Sequence, residues 1–150
     1  MANQHELDNA YLKMAYVWGQ SLSKDKTYKV GCLIVKNGQI ISDGFNGTLP
    51  GFDNECEDKD GHTKPEMCHA EWNGIGKLTT STISSEGATL YCNFAPCYNC
   101  AKLIIRAKIK RVVYSHEVGK YGKEGLQLLR KAKIQYSQIF IPPINLWEFS

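Results

Sequence analysis

ATLYCNFAPCYNCAKLIIRAKIKRVVYS, residues 88–115, holds two short apolar runs on either side of a helical pattern. Ala88 to Asn93 has the length and composition of a buried strand. Pro96 then precedes a helix from near Cys97 to Ala107, since a proline at a helix start sacrifices no hydrogen bond, and Ala101, Ile104 and Ile105 supply its apolar face. Arg111 to Ser115 is a strand again. Strands joined in this way pair in parallel through a right-handed crossover.

The same alternation continues in both directions. Downstream, a helix is expected from Glu124 to Ala132 and a last strand from Ile134 to Ile141, before Pro142-Pro143 and a tail with Trp147 and Phe149 free to pack on its own sheet or a neighbour. Upstream, a helix spans about His69 to Thr79, followed by a Ser/Thr-rich connection. Val30–Val35 and Gln39–Ile41 flank Lys36-Asn37-Gly38, and Asn-Gly between two β-rich runs marks a hairpin because both turn residues tolerate positive φ. Leu7, Tyr11, Met14, Trp18 and Leu22 recur every three or four residues, which predicts an opening helix with this stripe packed into the core. The expected architecture is α/β, a mixed five-stranded sheet with helices on both faces. Residues 44–68, with four Gly and two Pro, read as a long loop of the kind that is functional or pinned.

At 150 residues, 43% hydrophobic and 22% charged, the chain fits a single domain over 1–150. It has no apolar run near the roughly 20 residues of a membrane helix. A net charge of +3 does not mark a nucleic-acid binder. The start, MANQHELDNAY, lacks the features of a secretory signal, so a reducing, cytoplasmic setting is expected and disulfides are a poor default for the six cysteines.

Chemistry concentrates in His69-Ala70-Glu71 and Pro96-Cys97-Tyr98-Asn99-Cys100, each where a helix begins. Cys97 and Cys100 share one face of a first helical turn, where free N–H groups and the positive dipole end favour thiolate. With His69 they make a three-ligand N/S set for zinc, which leaves a fourth tetrahedral position for water. Zinc lowers the pKa of bound water from 15.7 to about 7, and Glu71 is placed to carry the proton. Residues two apart on an ideal helix diverge by about 200°, so His69 and Glu71 serve one site only at the very start of the helix. Two other readings of the cysteines stand beside this one: a thioredoxin-like redox pair, and a non-catalytic structural zinc module with Cys92, Cys68 or Cys56 as fourth ligand. Cys32 and Cys92, each inside an apolar strand, read as packing residues.

His-x-Glu followed by Pro-Cys-x-x-Cys resembles the signature of the zinc nucleobase deaminases. The likeness extends through Lys29-Val30-Gly31, Gly44-Phe45-Asn46-Gly47, Glu86-Gly87-Ala88-Thr89-Leu90-Tyr91 and the run from Pro96 to Ile105, and most resembles the deoxycytidylate deaminase family. The resemblance implies a cytidine-deaminase-like three-layer α/β/α fold and hydrolysis of dCMP to dUMP and ammonia, supplying dUMP for thymidylate synthesis. It also implies a homohexamer, activation by dCTP with Mg2+, and inhibition by dTTP. Carried across, His69, Cys97 and Cys100 hold zinc, Glu71 protonates ring N3 and assists the departing amine, Asn46 meets the sugar, and backbone N–H groups near Ala70 and Cys97 bind the pyrimidine carbonyl and the water. For the phosphate, the cationic segment offers Lys29 first, then Ser23 and Lys24, and Tyr121 is placed to close over the nucleotide. A cytidine or tRNA-type base deaminase is the alternative within the superfamily; no nucleic-acid or membrane partner is expected.

Two features depart from the family pattern. The loop Gly44–Gly51, in a region the family uses for regulation, carries its proline one place late, and Lys77 and Thr80 stand where some relatives have an aromatic and an arginine tied to allostery. Cys56, His62 and Cys68 fall within 13 residues and suggest a second, structural zinc, with Cys32 as a guess for its fourth ligand.

Overall fold

Asn37 and Gly38 take φ of 51° and 74°, the left-handed pair a two-residue hairpin turn requires. They join β1 (Gly31–Lys36) to β2 (Gln39–Phe45), which pair antiparallel. The computed structural model describes residues 1–144; Trp147 and Phe149 lie outside the described residues. In chain order the other elements are α1 (Gln4–Leu22), β3 (Gly47–Thr48), β4 (Met67–Cys68), α2 (Ala70–Leu78), β5 (Thr89–Phe94), α3 (Tyr98–Arg106), β6 (Arg111–His116), α4 (Gly119–Lys131) and β7 (Gln135–Gln138). The main sheet runs β2-β1-β5-β6-β7. β1 is antiparallel to both neighbours, whereas β5, β6 and β7 are parallel, so the sheet is mixed as expected.

Strand alternation sorts the core into two layers. Cys32, Ile34, Leu90, Cys92, Val112 and Tyr114 point to the side covered by α2, α3 and α4. Leu33, Val35, Tyr91 and Val113 point to the side covered by α1. No helix of the described residues is long and apolar enough to cross a membrane.

Four expectations need correction. The stripe on α1 does not form the core: Leu7, Met14, Trp18 and Leu22 are 37–46% exposed, and the buried line is Asp8, Leu12, Ala15 and Gly19. The helix is rotated by one residue because its small side chains let it lie against β1. A Cβ on Gly31 would stand 1.9 Å from the Ala15 carbonyl, and one on Gly19 2.5 Å from the Gly31 nitrogen. Asp8 is tolerated inside because Arg111 binds it with both terminal nitrogens while Tyr91 Oη–H donates at 2.6 Å and Gln4 at 2.8 Å. Burial pushes its carboxyl up, but these bonds outweigh burial and leave it below the usual range.

The last helix begins at Gly119, not Glu124. Its glycines mask helical propensity, yet Gly125 is required, since a Cβ there would meet the Pro96 carbonyl at 1.8 Å. The final strand ends at Gln138, where β6 nears its own end, and the chain then lifts onto Ser115, whose hydroxyl accepts from Ile141 N–H at 2.8 Å. Residues 44–68 are not wholly irregular: β3 and β4 pair antiparallel and pin the segment at its base.

Candidate active site

α2 and α3 start beside each other. His69 and Cys97 are their N-cap residues, both extended, at φ −66°, ψ 157° and φ −71°, ψ 174°, and neither caps its helix with a side chain. His69 Nδ1 lies 3.2 Å from Cys100 Sγ and 3.5 Å from Cys97 Sγ. Bonds of about 2.0 and 2.3 Å to a tetrahedral zinc place nitrogen and sulfur ligands about 3.5 Å apart, so the set has the spacing of a zinc site. The three ligand atoms lie within 4.8 Å of one another, and among the described residues no further His, Cys, Asp or Glu joins them.

The electrostatics agree. Hydrogen bonding from Cys100 and, after the opposing effect of burial, from His69 holds Cys97 at about 4. The same contact with Cys97, together with burial, pushes Cys100 far up, and bonding to Cys97 raises His69. Two sulfurs and one imidazole nitrogen thus crowd together where a divalent cation would take the place of their protons. An N/S set of this kind fits zinc.

Glu71 is only 4% exposed, and burial is the main force raising its carboxyl pKa; its own backbone N–H acts in opposition. It faces the ligands although it follows His69 by two residues. The extended N-cap conformation takes His69 off the helical wheel, which removes the 200° divergence.

A pocket of about 320 Å³ opens over these groups, lined by His69, Ala70, Glu71 and Cys97 at its base and by Tyr28, Val30, Asn46, Phe94, Val118 and Tyr121 on its walls. A family profile described as the cytidine and deoxycytidylate deaminase zinc-binding region matches residues 5–116. The deoxycytidylate deaminases of Enterobacteria phages T2 and T4 are each 32% identical to this chain, over 91% of it and 93% of their own length. A crystal structure of dCMP deaminase from the cyanophage S-TIM5, in complex with dCMP and dUMP, superposes with a TM-score of 0.85 at 37% identity, covering 92% of this chain and all (100%) of that one. The chain belongs to the cytidine and deoxycytidylate deaminase family.

In this family member the matched segment contains His69, Glu71, Cys97 and Cys100 and ends with β6, so α4, which brings Tyr121 to the pocket, lies beyond it. The mixed sheet with helices on both faces is the fold shared with the cyanophage enzyme. Other residues singled out in the sequence divide. Ala70 lines the pocket and, as the first residue of α2, keeps its N–H outside the helical ladder. Asn46 lines it too, with its carboxamide engaged: Oδ1 accepts from Val30 N–H at 2.9 Å and Nδ2 donates to the Tyr28 carbonyl at 2.7 Å. One lone pair and one N–H remain for a ligand.

The phosphate residues are not brought to the pocket. Ser23 is 2% exposed, its hydroxyl donating to the Asn46 carbonyl and accepting from Asp25 N–H. Lys29 Nζ turns back onto the Ser23 carbonyl at 2.7 Å, and Lys24 lines a separate cavity. The segment is cationic in composition, but Ser23 and Lys29 bond within its own turn, and the pocket presents Asp25 instead. Cys56, His62 and Cys68 do not gather either: Cys56 is buried, Cys68 Sγ sits against the Glu66 carbonyl, and His62 is exposed beside Asp58 at 3.8 Å. Cys32 is buried opposite Cys92 in the sheet and is unavailable as their fourth ligand. Sequence reading missed Tyr28, Phe94 and Val118; only Phe94 carried a signal, its place just before Ala95-Pro96-Cys97.

Proposed function

We propose that this chain catalyses the hydrolytic deamination of dCMP, in which water replaces the 4-amino group to give dUMP and ammonia. The observation that carries the reading is a buried carboxylic acid, Glu71, in the same pocket as a three-residue zinc set with no fourth protein ligand among the described residues. His69, Cys97 and Cys100 would hold zinc, which when bound would lower the pKa of a water in the site toward neutrality. Glu71 accepts the proton of the attacking water, delivers it to ring N3, and carries the next proton to the leaving amine; burial suits it to hold a proton between transfers. The N–H groups at the start of α2 meet the pyrimidine carbonyl, and Asn46 offers its remaining donor and acceptor to the sugar hydroxyl. Tyr28, Phe94, Val118 and Tyr121 enclose the nucleotide.

The regulatory part of the reading draws on a second cavity of about 610 Å³, bounded by Gly44, Phe45 and Gly47–Phe52 together with Lys77 and Thr80. A triphosphate, dCTP with Mg2+ as activator or dTTP as inhibitor, is the proposed occupant. Assembly as a homohexamer draws support from the outward Leu7, Met14, Trp18 and Leu22 of α1, an apolar stripe of the kind oligomer interfaces cover. Within the cell the reaction supplies dUMP for thymidylate synthesis.

The test is loss of cytosine absorbance with dCMP, cytidine and a cytosine-containing oligonucleotide, with and without dCTP and dTTP. Turnover of dCMP that falls about 10²–10⁴-fold in Glu71→Gln, with zinc retained, is the expected result; turnover of cytidine or the oligonucleotide alone rejects it. The oligonucleotide arm addresses a base-deaminase reading, which a groove holding Trp72, Lys102 and Arg106 beside His69 favours as the second choice.

A further inference from the structure

Asn93 is a buried side chain, 1% exposed, that the chemistry above does not use. It follows Cys92, whose partner Cys32 is the last residue of β1 to pair with β5 at this end of the ladder. At the next position the side chain of Asn93 takes the place of a ladder contact. Its Oδ1 accepts from Gly31 N–H at 2.9 Å, and its Nδ2 donates to the Lys29 carbonyl at 3.0 Å. Asn46 holds the intervening positions, Val30 N–H at 2.9 Å and the Tyr28 carbonyl at 2.7 Å. In an extended segment, successive residues present their polar groups to opposite edges. Two buried amides therefore grip residues 28–31 from both sides, each taking alternate residues.

Tyr28 sits at the end of this gripped segment. The residue is 49% exposed, and its ring meets Phe94 edge-on, with centroids 5.8 Å apart and planes at 86°. Both rings line the pocket. Phe94 is the residue after Asn93, so one short stretch of β5 supplies both the face against which Tyr28 rests and the amide that sets the backbone leading to it.

We propose that Asn93 is a positioning residue for substrate, clasping residues 28–31 together with Asn46 so that the Tyr28 ring stands fixed against Phe94 as a preformed wall of the nucleotide pocket. It rests on the reading that a nucleotide occupies this pocket. A wall that is already ordered adds to binding in ground and transition states alike, so its loss raises KM and leaves kcat in place. Ordering a loosened aromatic segment on binding weakens affinity by about tenfold.

The experiment uses the zinc-loaded full chain and dCMP. Asn93→Ser withdraws both bonds, and Asn93→Asp keeps the acceptor for Gly31 but turns an acceptor toward the Lys29 carbonyl. Variants with the zinc content and near-ultraviolet dichroism of the parent are expected to show KM raised about tenfold, with kcat within about twofold. Tyr28→Ala is expected to raise KM by a similar factor, and adding Asn93→Ser to it to change KM no further, because no ring is left to place. An unchanged KM in a folded Asn93 variant, a kcat loss at constant KM, or effects that multiply in the double variant overturns the proposal. Should both Asn93 variants fail to fold, Tyr28→Ala decides: a raised KM supports the wall and an unchanged one removes it. Absence of dCMP turnover in the parent chain sinks the functional reading and the proposal together, whereas parent turnover with variants indistinguishable from it sinks the proposal alone.

Discussion

His69, Cys97 and Cys100 span 32 residues of sequence and converge within 4.8 Å; Cys56, His62 and Cys68 span 13 and do not gather. Both groups consist of two cysteines and a histidine. The difference is what launches them. The first group occupies the starts of two helices locked to the sheet: α3 follows directly from β5, and α2 is tied to β2 by Ser42 Oγ–H to the Gly74 carbonyl at 2.6 Å, Asn73 Nδ2 to the Phe45 carbonyl at 2.8 Å, and the Lys77–Asp43 ion pair. The second group lies in a segment shaped by its own turns. Asp58 Oδ1 accepts from Asp60 N–H and His62 N–H, which turns His62 outward, while Cys56 is packed inward. Proximity in sequence is no substitute for a shared rigid frame.

The largest effect that can break this contrast is on metal. His69→Ala, Cys97→Ser or Cys100→Ser is expected to lose zinc and bring turnover to background. Cys56→Ser, Cys68→Ser and His62→Ala are expected to keep the zinc content of the parent, measured by elemental mass spectrometry. Zinc lost on changing Cys56 collapses the distinction.

A smaller effect sharpens it through thiol chemistry. In chelator-treated protein, Cys97, held at about 4, is thiolate above that pH and loses reactivity as pH falls through it. Burial pushes the Cys56 and Cys68 thiols up, so they alkylate only in alkaline solution. Peptide mapping after iodoacetamide at pH 6 is expected to label Cys97 far ahead of both; equal labelling contradicts the electrostatic account.

The smallest effect on the contrast comes from the other face of the sheet, where α1 packs. Asp8→Asn strips a charge from a buried pair and is expected to cost about 3–5 kcal/mol of stability while leaving zinc per folded chain unchanged. Because the folded Asp8 pKa is depressed, its contribution is present above the ordinary carboxylate range, about pH 4, and is lost as pH falls through the folded value. The acid limb of a Tm-against-pH curve is therefore flatter in Asp8→Asn than in the parent, and parallel limbs refute the assignment.

Much of the frame was legible in order: the turn at Asn37-Gly38, the strand-helix-strand unit around Cys97, and the helix starting at His69 all stand within a residue or two of expectation, whereas the second hairpin strand runs on to Phe45, four residues past the expected Ile41 and into the stretch read as loop. These are local matters, written in turn residues, periodicity and the place of a proline. The face of α1 was not legible, because large apolar residues point outward and a buried aspartate points in. What stabilises that aspartate comes from Tyr91 and Arg111, 83 and 103 positions away. The start of α4 was hidden for a related reason, since Gly125 serves a contact with Pro96 that no local pattern announces.

The amino-acid order alone therefore marked the zinc-type residues and Glu71, because their work depends on backbone at two helix starts, which short-range chemistry specifies. The pocket wall of Tyr28 and Phe94, the retreat of Ser23 and Lys29 from it, and the scattering of Cys56, His62 and Cys68 emerged only in three dimensions. There, hydrogen bonds between distant segments set where each side chain is free to point.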